Sequence, residues 1–169
     1  MAHQRLNNRF YVVSAFLLLA SCSVTGPLRE DRKADGYQLG NLSSKWRVVA
    51  LNSGADKVYL NTQSKALLSV NSLCGRYEDS SLEALTKELL TPMKQHIVLS
   101  QSDLTISGRR ALHTVTKGNL DGVPVESEIV VIRKNRCLFD FNIYAKKIAV
   151  AERSEFLNFV KSFEFQESR

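Results

Sequence analysis

The chain has 169 residues, and 23 Lys and Arg against 17 Asp and Glu give it a formal charge of +6. The basic residues are scattered. The tight pairs are Arg32-Lys33, Arg109-Arg110, Arg133-Lys134 and Lys146-Lys147, and no long basic run or aromatic-interleaved stripe occurs, which argues against nucleic-acid binding. The length suits one domain that can bury an ordinary core, with no repeat and no low-complexity tract.

The N-terminus falls into three zones. Arg5 and Arg9 are charged, and no acid precedes Glu30. Phe10 to Ala20 is apolar except for Ser14, and small residues then lead to Cys22. This order is that of a secretory signal peptide over residues 1–21. The apolar run is too short to span a membrane, which takes about 20 residues.

Leu19-Ala20-Ser21-Cys22 resembles the lipobox of bacterial lipoproteins. The resemblance implies that the Cys22 thiol takes a diacylglycerol, that the chain is cut before it, and that the new amine is acylated. Each buried methylene contributes about 0.8 kcal/mol, so two or three acyl chains make a lasting anchor. Ser23 stands where an Asp would resemble an inner-membrane retention signal. The implied location is therefore the periplasmic face of the outer membrane. The same zone order also fits an ordinary cleaved signal beside an unrelated cysteine. Removing residues 1–21 leaves 148 residues with a side-chain charge of +4.

With Cys22 assigned to lipid, Cys74 and Cys137 remain, an even pair that an oxidising compartment would join. A reactive thiol or half a metal site is the alternative. No Cys-x-x-Cys occurs, and His96 and His113 lie at no ligand-like spacing, so no metal or other cofactor is expected.

Residues 22–41 mix Gly26, Pro27, Gly36 and Gly40 with charged side chains and show no apolar period, so they read as the lipidated cysteine and a flexible tether. A single domain is expected over residues 42–165. Trp46 to Leu51, Val58 to Leu60 and Ala66 to Ser72 read as strands. Ser80-Ser81-Leu82-Glu83 reads as a capping box with Ser80 as the cap. Leu82, Leu85 and Leu89 continue a helical stripe that Thr91-Pro92 ends.

Four strands then form a meander: Ile97 to Ser102, Arg110 to Thr116, Val123 to Arg133 and Cys137 to Tyr144. Gly108, Asp121-Gly122 and Lys134-Asn135 supply the turns. Cys137, Phe139, Phe141 and Ile143 share one face of the last strand. Phe156, Phe159, Val160 and Phe163 make the stripe of a final helix, which should pack on that face.

The predicted class is α+β: an antiparallel sheet of six to seven strands packed with two main helices. This element order resembles the PsbP-like fold and the DcrB-type envelope lipoproteins. So do Val70-Asn71-Ser72-Leu73-Cys74, Gly108-Arg109-Arg110-Ala111-Leu112, Leu120-Asp121-Gly122-Val123-Pro124-Val125 and Lys134-Asn135-Arg136-Cys137. The resemblance implies scaffolding or binding roles and no shared catalytic centre.

The residues themselves agree. There is no G-x-S-x-G, no phosphate-cradling glycine loop and no H-E-x-x-H. His113 alternates with Ala111 and Val115, as a packed histidine does. Glu126 and Glu128 share a strand face and fit either an exposed row or a carboxylate pair. Arg109 and Arg110 fit an anion grip or a solvated strand edge. Asp140, Asn142 and Tyr144 oppose the apolar face of their strand. Uncovered, that face would bind a polar ligand or a partner; covered, it would hold satisfied core polar groups. The expected function is a non-catalytic, lipid-anchored accessory or interaction domain with an envelope protein as its partner. The alternative is a periplasmic binder of a small molecule or lipid, or an enzyme, using the Asp140 face.

Overall fold

The computed structural model describes residues 32–34, 36–50, 54–75, 80–134 and 136–165. The stretch expected to be a signal peptide (residues 1–21), Cys22 and Asn135 lie outside the described residues. Among the described residues no helix is long and apolar enough to cross a membrane.

The elements run β1 (Tyr37–Gln38), β2 (Trp46–Val48), β3 (Lys57–Asn61), β4 (Leu67–Cys74), α1 (Leu82–Leu89), β5 (Lys94–Ile106), β6 (Arg109–Leu120), β7 (Val123–Lys134), β8 (Cys137–Ala145), α2 (Val150–Lys161) and β9 (Glu164–Phe165). Seven strands form one antiparallel sheet in the order β2-β3-β4-β8-β7-β6-β5, and β1 pairs with β9 in a second, two-stranded sheet. The α+β class is as the sequence indicates.

After β4 the chain leaves the sheet through α1 and re-enters at the far edge as β5. Strands β6 and β7 return step by step, and β8 closes against β4. The returns are tight. Leu120 pairs with Val123 around Asp121-Gly122, and Ile106 pairs with Arg109 around Ser107-Gly108. All four turn residues have positive φ: 50° and 81° in the first turn, 47° and 70° in the second. That is the twist a two-residue hairpin requires, and glycine adopts it without steric cost.

Both faces of the sheet are covered at its centre. On one face Leu68, Val70, Val130, Ile132, Phe139, Phe141 and Ile143 meet Phe156, Phe159, Val160 and Phe163 of the α2 segment. The Phe163 ring lies 4.8 Å from that of Phe139 and 5.5 Å from that of Phe141. The stripe thus packs where its aromatic volume fits. On the other face Leu112, Ile129, Val131 and Leu138 meet Leu82, Leu85, Leu90 and Met93 around α1. Cys74 and Cys137 face each other in register on β4 and β8 and form a disulfide, with Cα atoms 4.0 Å apart.

Several details depart from the sequence reading. The helix cap is Ser81, whose Oγ accepts from the Ala84 N–H at 3.1 Å, one residue later than the expected Ser80. Ser80 instead lends its carbonyl to Arg133 Nη1 at 2.7 Å. Strand β5 runs well past the expected Ile97 to Ser102. It is an edge strand, exposed from Lys94 to Asp103, and two register shifts interrupt it. Bulges of this kind make an edge a poor template for further pairing.

The boundary of the domain also moves. The tether expected to reach residue 41 is already folded from Arg32. Arg32 bridges Cys74, the Ala34 N–H donates to Ser72 Oγ at 2.8 Å, Tyr37 packs on Phe139, and the Gly40 N–H donates to Ser162 Oγ at 2.7 Å. The glycines and charges that suggest solvated chain here serve a short strap laid over the sheet end and α2.

Candidate open groove beside Asp140

Helix α1 has eight residues, about 12 Å at 1.5 Å per residue. It packs on β6 and β7 and reaches Leu138 of β8, while Ser69 and Asn71 of β4 stay partly exposed. There Asp140, Asn142 and Tyr144 of β8 stand opposite Asn71, Ser69 and Leu67 of β4. Alternation puts these side chains on the face away from Phe139 and Phe141.

Asp140 is 3% exposed and sits at the centre of a polar row. Asn71 Nδ2 donates to its Oδ2 at 3.0 Å, and Asn142 Nδ2 donates to its Oδ1 at 2.7 Å. Asn142 Oδ1 and Ser127 Oγ are buried and, among the described residues, have no hydrogen-bond partner. Lys33 of the N-terminal strap donates to Asn71 Oδ1 and lies 3.0 Å from Asp56 Oδ1. Asp56 Oδ2 in turn accepts from the Tyr37 hydroxyl at 2.9 Å.

Burial pushes the Asp140 carboxyl up to about 6, against the opposing pull of the Asn71 and Asn142 amides and the Lys33 charge. Burial, with Asp140 nearby, pushes the Tyr144 phenol up to about 12.

Two depressions meet on Asn71, Leu73 and Asp140. One, of about 390 Å³, is walled by Lys33, Gly54, Ala55 and Ser69. The other, of about 200 Å³, is walled by Leu85, Glu88, Leu89 and Pro92 of the α1 segment and by Leu138. A buried carboxylate therefore lies at the junction of a polar hollow and an apolar cleft.

Of the residues singled out in the sequence, Asp140 lines both depressions and Asn142 holds it from one side. Tyr144 shares the face but lines neither. Arg109 and Arg110 lie at the start of β6 and do not join the groove. Arg110 Nη2 is 2.6 Å from Glu83 Oε1 and 2.8 Å from Asp103 Oδ1, an exposed ion-pair cluster. Lys33, Asn71 and Glu88 are not residues that the sequence singles out for a site, because nothing local says that β4 pairs with β8.

The carboxylate pair lies elsewhere. Glu128 is fully buried on the α2 face rather than in an exposed row. There it accepts from Arg153 Nε and lies 3.0 Å from His113 Nε2. Burial alone would raise its pKa, but the His113 and Arg153 bonds outweigh burial and hold it below the usual carboxylate range. Glu126 accepts from the Ile148 N–H at 3.0 Å and pairs with Lys117 at 3.2 Å. Among the described residues no three His, Cys, Asp or Glu side chains gather as metal ligands would. His113 is a packed histidine with a carboxylate partner, and His96 Nδ1 lies 2.9 Å from the Met93 carbonyl.

No family model and no curated protein matches the chain. Solved structures do. The cyanobacterial PsbP (CyanoP) of Synechocystis is 15% identical with a TM-score of 0.54, over 88% of this chain and 99% of its own. LpqN of Mycobacterium tuberculosis, described as involved in cell envelope biogenesis, is 12% identical with a TM-score of 0.57, over 82% of this chain and 88% of its own. A protein of Bacteroides thetaiotaomicron is 14% identical with a TM-score of 0.56, over 78% of this chain but only 45% of its own, so this chain spans under half of that protein. At these identities the likeness is one of fold, and that fold is PsbP-like.

Proposed function

We propose that this chain is a bacterial envelope lipoprotein, anchored through acylated Cys22 and facing the periplasm, and that its PsbP-like domain acts without catalysis as an accessory or interaction module. The observation that carries this reading is the Cys74–Cys137 disulfide, because such bonds persist in oxidising compartments outside the cytosol. The Leu19-Ala20-Ser21-Cys22 stretch and the likeness in fold to LpqN support it. The outer membrane is the favoured site, on the strength of Ser23.

Radiolabelled fatty acid should enter the protein in a bacterial host and be lost in Cys22→Ala. Equal labelling of both forms, or of neither, would sink the anchor. Mild in-cell crosslinking should recover an envelope protein with the domain, and its absence would remove the interaction role.

A second reading is favoured by the groove at Asp140: a binder of a small molecule or lipid. A buried carboxylate between a polar hollow and an apolar cleft is a common way to orient a ligand.

A further inference from the structure

Strand β5 exposes three apolar residues in succession. Ile97, Val98 and Leu99 are 65%, 46% and 53% exposed, and Val123 at the start of β7 is exposed toward the same end of the sheet. A contiguous apolar stretch on a sheet edge invites association unless something covers it. The two register shifts of β5 fall beside and within this stretch. Its backbone therefore offers no even ladder to an added strand, and its side chains are left as the means of contact.

The rim of this end is basic. Lys94, Lys117, Lys146 and Lys147 are exposed there, together with Asp121. Lys117 is paired with Glu126 at 3.2 Å, so those two charges cancel locally. Glu152, in the first turn of α2, is buried and engaged by Ser64 and the Ala149 N–H. Among the described residues, Lys94, Lys146 and Lys147 then stand against the single exposed acid Asp121. A second copy of the chain would bring the same lysines, and like charges repel. An apolar centre with a basic rim is matched by a protein surface with an aliphatic centre and an acidic rim.

The bilayer that carries the anchor is poorly placed to cover the patch. Cys22 stands ten peptide units before Arg32, a span of about 33–36 Å at full extension. Arg32 bridges Cys74 at the opposite end of the sheet. Ile97 shares a row with Lys117, Glu126 and Ala145, the full nine-residue length of β8 from Cys137, and lies across β8, β7 and β6 from β4. At 3.4 Å per residue and 4.8 Å per strand it is roughly 33 Å from Cys74. Lipid contact would draw the connection taut.

We infer that the β5 edge around Ile97, Val98 and Leu99, with Lys94 and Lys147 at its rim, is the surface that docks a second envelope protein through an aliphatic patch ringed by acids. The inference rests on the lipid-anchored interaction role and names the surface and its partner's chemistry.

The test is in-cell photocrosslinking of the full chain with a benzophenone side chain placed at Leu99 and, in a parallel protein, at Arg109 near the anchored end. Leu99 should give an adduct with one other envelope protein, and mass spectrometry should place acidic side chains around the crosslinked site. Arg109 should give none. Ile97→Lys should lower the yield severalfold, and so should Lys94→Glu with Lys147→Glu, which decides the matter if Ile97→Lys fails to fold. An adduct of twice the chain's mass overturns the choice in favour of a second copy, and adducts confined to lipid overturn it in favour of the bilayer. A yield unchanged by the lysine reversals overturns the acidic assignment. Mild chemical crosslinking of the same cells separates the failures. A partner recovered that way but not from Leu99 overturns this surface and leaves the interaction role, whereas recovery by neither route removes both.

Discussion

Arg153 of α2 donates its Nε–H to Glu128 of β7, whose side chain has no exposed surface. The pair joins the helix to the sheet through a buried charge, and His113 supplies a further contact from β6 at 3.0 Å. Removing one partner of a fully buried pair typically costs about 3–5 kcal/mol, but Arg153 is 39% exposed and His113 stays beside the carboxylate. Arg153→Met should therefore lose stability by less than this range in urea unfolding, and Glu128→Gln with Arg153→Met should lose less still. The sign with pH is fixed by the depressed carboxyl. The stabilisation is present above the ordinary Glu value and is lost as pH falls through the lower folded-state value.

Asp140 behaves in the opposite sense. Its folded-state pKa, about 6, lies above the ordinary 3.8, so its favourable contribution is full below the ordinary value and is lost as pH rises through 6. The displacement corresponds to on the order of 3 kcal/mol, at about 1.4 kcal/mol per unit. Asp140→Asn should accordingly flatten the fall in stability between pH 4 and pH 8 that the natural chain shows. Parallel pH profiles for the two proteins would contradict the burial argument.

Phe163 is 1% exposed and touches the rings of Phe139, Phe141 and Tyr37. Truncation leaves a cavity that neighbouring rings fill poorly, so Phe163→Ala should cost about 3–5 kcal/mol. Phe165, half-buried at the edge of the same cluster, should cost clearly less when changed to Ala. Urea midpoints for the two variants provide the comparison.

The disulfide closes a loop of 63 residues in sequence separation. In the chain-entropy model this contributes about 4 kcal/mol. Cys74→Ala with Cys137→Ala should lower stability by roughly that amount and keep the fold at low temperature, as circular dichroism would report.

Gly118 of β6 leaves room for Met93. A Cβ there would meet Met93 Cγ at 2.5 Å and the backbone Cα of His96 at 3.0 Å. Overpacking of this kind costs about 1–3 kcal/mol, so Gly118→Ala should lower the thermal midpoint. An unchanged midpoint would mean that the segment before β5 yields freely.

The polar row shows where sequence reading stops. Asp140 and Asn142 were recognisable because polar residues alternate with Phe139, Phe141 and Ile143. Their partner Asn71 alternates in the same way on β4, yet 69 positions separate it from Asp140. The pairing arises only because the chain crosses to the far edge before returning. Glu128 misled for a related reason. Polar alternation suggests an exposed face, but α2 covers this one and brings Arg153 to the carboxylate. The strap from Arg32 to Gly40 carries no apolar period, so its packing was not legible. It is held by backbone hydrogen bonds and single side chains such as Tyr37 and Lys33.

The sequence by itself determined the local elements: the two-residue turns at Ser107-Gly108 and Asp121-Gly122, the strand alternation, the aromatic stripe of α2 and the even cysteine pair. These follow from dihedral preferences and periodicity, which need only near neighbours. Tertiary structure alone decided that β8 pairs with β4, that the short α1 leaves Ser69 and Asn71 partly exposed, and that the N-terminal strap brings Lys33 beside Asn71. Such choices depend on which faces bury most when distant segments meet, and no stretch of sequence contains that comparison.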